Sequence, residues 1–172
     1  MMTAVHSKEP KEFRILSLSG GGYLGLYTAV VLADLEKQVG EPLGRRFDLI
    51  AGTSVGGLLA MALAFEVPMA NIVQLFIERG EEVFSSRRLP GGTVTRLLDM
   101  TRSVLGPKYT GEALRREIAK HFGGRTMGDA HHAVVVPAVD VSRSVTKVFK
   151  TPHTQGSLGD EGLSAVDVTL AT

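Results

Sequence analysis

Two apolar runs, FRILSL (residues 13–18) and FDLIAG (residues 47–52), each end in a glycine-rich turn and pass directly into a pattern of helical period. No other feature constrains the fold as much. Strands that alternate with helices have to be joined by crossovers, and crossovers make a parallel sheet flanked by helices. The first helix runs from Leu24 to Val39, with Leu26, Val30, Leu32 and Leu35 at helical spacing and Gly40 as its stop. The second, Val55 to Phe65, is small and apolar on nearly every side, as a buried helix is.

The rest of the chain extends this pattern. Pro68 opens a third helix with Ile72, Val73, Leu75, Phe76 and Ile77 on its apolar side. Residues 85–92, SSRRLPGG, read as an exposed loop, and residues 93–105 are ambiguous. TGEALRREIAKHFGG (110–124) reads as a helix with Thr110 as N-cap and Gly123 as C-cap. AVVVPAVDV and VTKVFK read as two strands joined near Ser142–Ser144. A polar loop over 151–162 leads to a last helical pattern from Leu163 to Thr172, and residues 1–12 read as a loose polar arm. The expectation is a three-layer α/β/α domain over residues 13–172 with a mostly parallel central sheet.

At 172 residues and 44% hydrophobic, the chain is long enough for one domain with a real core. Nineteen basic and 18 acidic residues leave a formal charge of +1, which gives no electrostatic footprint for a nucleic-acid polymer. With no cysteine, disulfides and thiolate metal sites are excluded, and a reducing cytosol fits. The longest apolar run, LLAMALAF (58–65), is too short for a membrane span.

Within this frame GTSVG (52–56) fits G-x-S-x-G, in which a serine sits on a sharp strand-to-helix turn. Gly52 and Gly56 flank Ser54 because such a turn brings neighbouring backbone close. The turn exposes the Ser54 hydroxyl beside a helix N-terminus, which favours developing negative charge. The alternative is a tight turn with Ser54 as an ordinary helix N-cap.

SGGGYLG (19–25) is the second candidate. Three successive glycines can present backbone N–H groups to an anion, an oxyanion hole in acyl transfer. Gly20, Gly22 and Gly25 also satisfy G-x-G-x-x-G. A dinucleotide site, however, needs an acid at the end of the next strand, and the one acid of that strand, Asp48, stands near its start.

Together, LSLSGGGYLGLYTAVVLADLE and FDLIAGTSVGGLLAMALA resemble the patatin-like phospholipase family, strongly over residues 13–66 and weakly beyond. They are also similar to the bacterial patatin-like effectors of cyclic-nucleotide-triggered antiphage systems. The resemblance implies a Ser-Asp dyad: Ser54 as nucleophile, Gly21 and Gly22 N–H groups binding the oxyanion, and Gly20 shaping the loop. The base is an aspartate in an Asp-Gly-Gly or Asp-Gly-Ala motif. It implies membrane phospholipid as substrate, a cyclic nucleotide as activator, no metal or cofactor, and a cytoplasmic enzyme working at the inner face of the membrane.

Three positions depart from the family pattern. Ser19 stands where Asp is common and Leu24 where Arg or Lys is common, which weakens the case for a cation holding a lipid phosphate. No Asp among the 172 residues precedes a Gly, so the dyad base is expected beyond Thr172, in a longer enzyme of which this is the N-terminal part. Within the chain, Asp140 and Asp167 are the acids nearest strand or helix ends. His153 offers a Ser-Asp-His alternative. His131 and His132 are adjacent, and on a strand they would face opposite sides. Arg87, Arg88, Leu89 and Pro90 form a small basic and apolar loop that reads either as a lipid-headgroup contact or as an ordinary surface loop.

Overall fold

The computed structural model describes residues 12–84, 111–153 and 159–172. The expected N-cap at Thr110, the loop at 85–92 with its basic Arg87–Pro90 stretch, and the ambiguous residues 93–105 lie outside the described residues, as does almost all of the N-terminal arm.

Strand β1 (Ile15–Leu18) leads through a short 3-10 turn (Gly22–Leu24) into α1 (Gly25–Val39). Gly40 ends that helix with φ 74°, its N–H donating to the Glu36 carbonyl, as the sequence suggests. Strand β2 (Leu49–Gly52) and helix α2 (Val55–Ala64) repeat the unit. Helices α3 (Met69–Phe84) and α4 (Gly111–Phe122), strands β3 (Val134–Asp140) and β4 (Val145–Lys150), and helix α5 (Ala165–Ala171) follow.

The four strands lie in the order β1-β2-β3-β4. Pairing is parallel from β1 to β2 and from β2 to β3, with Leu18 opposite Gly52 and Ala51 opposite Val135. Among the strands of the described residues, only the β3–β4 pair is antiparallel. The expected α/β class with a mostly parallel sheet is therefore what the chain adopts.

Core packing follows from strand alternation. Leu18, Ile50, Val134 and Val136 face α2, all ten residues of which are buried. Around α2 lie α1, α3 and α5, with α4 packed on α3 and α5. The apolar wrap predicted for α2 thus marks the centre of the core. Two of the three expected layers, the sheet and one layer of helices, lie within the described residues. The other sheet face carries Ile15, 58% exposed, and Val139, 70% exposed. No helix among the described residues is long and apolar enough to cross a membrane.

Candidate active site

The parallel register sets the ends of β1 and β2 side by side, so the two glycine turns that follow them meet. At the second turn the chain leaves β2 through Thr53 and Ser54 and enters α2 at Val55. Ser54 has φ 56° and ψ −129°, a conformation costing a non-glycine residue about 1–3 kcal/mol. Its flanking glycines are required by close approach: a Cβ on Gly52 would collide with the Gly56 carbonyl, and one on Gly56 with the Leu18 carbonyl.

Ser54 occupies the N-cap position of α2, but its side chain makes no capping bond. Among the described residues its exposed hydroxyl makes no hydrogen bond at all. An ordinary N-cap serine would use its hydroxyl on the helix and would have no need of positive φ. The geometry is that of a strained turn presenting a free hydroxyl.

The first glycine turn closes on this serine. A Cβ on Gly20 would lie 3.1 Å from Ser54 Cβ and 3.1 Å from the Thr53 oxygen. Gly21 and Gly22 are exposed, Gly22 has φ 57°, and among the described residues their N–H groups have no hydrogen-bond partner. The loop is held by Tyr23, whose ring meets Phe76 edge-on at 6.3 Å and covers Gly80 of α3. Gly25 packs on Val55, so the N-termini of α1 and α2 converge. Open N–H donors beside a free hydroxyl can hold the oxygen of a carbonyl under attack.

Two features here escaped sequence reasoning. The Val55 N–H, immediately after the serine, also has no partner among the described residues, and the G-x-S-x-G pattern itself points to it. The Ser54 N–H donates to Thr172 Oγ1 at 2.9 Å, and the Thr172 hydroxyl donates to the Pro137 carbonyl at 2.8 Å. No local sequence signal marks that contact.

The remaining candidates are not brought to Ser54. Asp140 closes the β3–β4 turn, accepting from Ser142 Oγ and from the Ser142 and Arg143 N–H groups, and these bonds, the Ser142 hydroxyl's foremost, lower its pKa. Asp167 pairs with Arg115 at 2.6 Å on the surface. His153 bonds to Thr151, which pairs with Val134 at the start of β3, the opposite end of the sheet from the turn that holds Ser54. Asp48 accepts from the Arg14 N–H at that same far end, away from the end of β2 where a dinucleotide ribose would need an acid.

His131 and His132 lie ahead of β3 and both donate their N–H groups to the Ala64 carbonyl at the end of α2. His132 Nε2 also stands 3.1 Å from Glu66, which Arg45 grips with two bonds of 2.8 and 3.0 Å. Those Arg45 bonds, with help from His132 and against the effect of burial, hold the Glu66 carboxyl at about 2.

The family model described as patatin-like phospholipase matches residues 16–171. A cGAMP-activated phospholipase of Pseudomonas aeruginosa is 45% identical over 93% of this chain and 46% of its own length. Proteins of the same description from Escherichia coli and Vibrio cholerae are 31% and 33% identical, over 99% and 94% of this chain and 48% and 47% of their own lengths. The chain spans about half the length of the curated relatives it matches.

Proposed function

The chain belongs to the patatin-like phospholipase family, and from that premise we propose that it carries the nucleophile and oxyanion donors of a serine acyl hydrolase that releases fatty acids from membrane phospholipid. The observation that carries the reading is Ser54, held at positive φ against the Gly20–Gly22 loop, with neither its hydroxyl nor the Gly21 and Gly22 N–H groups bonded to any of the described residues.

In the proposed reaction Ser54 Oγ attacks the acyl carbonyl while its proton passes to a carboxylate base. The Gly21 and Gly22 N–H groups take the developing oxyanion, with the Val55 N–H beside them. Collapse breaks the ester bond, and the leaving alcohol of the lysolipid takes the proton from the base. Water, deprotonated by the same base, then attacks the acyl-serine; the Ser54 Oγ–acyl bond breaks, Oγ takes the proton back from the base, and the fatty acid is freed. The family resemblance implies an aspartate as that base; Asp140, bonded to Ser142, and Asp167, paired with Arg115, are not brought to Ser54. The chemistry calls on no metal ion, so chelator leaves turnover unchanged.

The relatives' descriptions support control by a cyclic dinucleotide such as cGAMP, and we infer a role in antiphage defence from the family resemblance. Such control suits a cytoplasmic enzyme that degrades the inner face of its own cell's membrane. The test is fatty-acid release from phospholipid vesicles by the intact protein, with and without cGAMP. Release that depends on cGAMP supports the whole reading; none under either condition contradicts it.

A further inference from the structure

We propose that Thr172 is a positioning residue for Ser54, its hydroxyl fastening the serine's backbone to strand β3; the inference rests on Ser54 being the nucleophile. A strained conformation persists only where its surroundings over-determine it. On one side of Ser54 the contacts of Gly52, Gly56 and Leu18 supply that constraint. On the other, the β2–β3 ladder ends at Ala51 opposite Val135, before the chain reaches Ser54.

The Thr172 hydroxyl spans the gap. One hydroxyl both accepts and donates, and here it accepts the Ser54 N–H at 2.9 Å and donates to the Pro137 carbonyl at 2.8 Å. Two further features hold Thr172 in place. Gly57 of α2 leaves room for it, since a Cβ there would lie 2.5 Å from Thr172 Cγ2. Helix α5, anchored in the core by Ala165, Val166 and Val168, delivers it to the turn.

A nucleophile works from a narrow range of positions, and small displacements are costly in rate. Removing the hydroxyl therefore slows attack by Ser54 without changing how substrate binds. Thr172→Val keeps the side-chain shape and loses the hydroxyl, whereas Thr172→Ser keeps the hydroxyl.

The experiment follows the rate at which a fluorophosphonate labels Ser54 in the intact protein, located by peptide mass spectrometry, beside kcat and KM on phospholipid. The expected result is labelling and kcat about tenfold lower in Thr172→Val, KM unchanged, and near wild-type behaviour in Thr172→Ser. If Thr172→Val does not fold, Thr172→Ala against Thr172→Ser makes the same comparison. Wild-type labelling in the variant without the hydroxyl overturns the proposal, as does equal loss in the serine variant, and both leave the nucleophile assignment standing. No label on Ser54 in the wild-type protein overturns both.

Discussion

Gly20 and Ser54 touch: a Cβ on Gly20 would come within 3.1 Å of Ser54 Cβ. The contact joins two turns that the sequence separates by more than thirty residues, and it makes a backbone donor loop and a hydroxyl into one site. It predicts that Gly20→Ala pushes the loop off the serine by a few tenths of an ångström. Phospholipid hydrolysis falls about tenfold to a hundredfold, and a thermal melt moves little, because the loop is exposed.

Ser54 itself is held at the expense of stability. At φ 56° a glycine is unstrained where serine is not. Ser54→Gly therefore raises stability by about 1 kcal/mol while abolishing hydrolysis. Denaturant unfolding and a lipase assay on the same protein check both halves; a destabilised variant would contradict the strain.

Gly52 and Gly56 face carbonyl groups with no room for a methyl. Alanine at either position costs about 3 kcal/mol, since backbone must move. Gly124, where a Cβ meets nothing within 4 Å, is the control and tolerates alanine with little change. Thermal melts of the three variants test the contrast.

The acid limb of stability belongs partly to Glu66. Its carboxyl is depressed from the usual 4.5 to about 2, chiefly by Arg45, so the arrangement stabilises the fold fully above pH 4.5 and loses that contribution as pH falls toward about 2. Glu66→Gln is less stable than wild type at neutral pH. The gap between them narrows below pH 4.5 and closes near pH 2. A gap that stayed constant over that range would contradict the assignment.

The sequence made the strand–turn–helix units and the central helix legible because burial imposes period and glycine marks close approach. The turn at Ser54 was legible for the same reason: Gly52, Gly56 and the apolar α2 mark a sharp strand-to-helix turn, though an ordinary N-cap serine fitted the pattern as well. Thr172 was not, because its partners lie 118 and 35 residues away, and only the fold brings them together. His131 and His132 resisted reading too. They lie before β3 and cap α2 through their backbone, which side-chain type does not encode. Boundaries moved by a residue or two where exposure or a cap decided them. Phe13 is 67% exposed and precedes β1, and Ser164 accepts the Asp167 N–H, so α5 begins at Ala165.

The most direct test of the central claim is to quench the intact protein during turnover of a phospholipid and read by mass spectrometry which residue carries the acyl group, with Ser54→Ala beside it. The account predicts an acyl ester on the peptide containing Ser54 and a loss of turnover of about a millionfold in the alanine variant. An acyl group on another residue, or phospholipid hydrolysis that persists in Ser54→Ala, would contradict it.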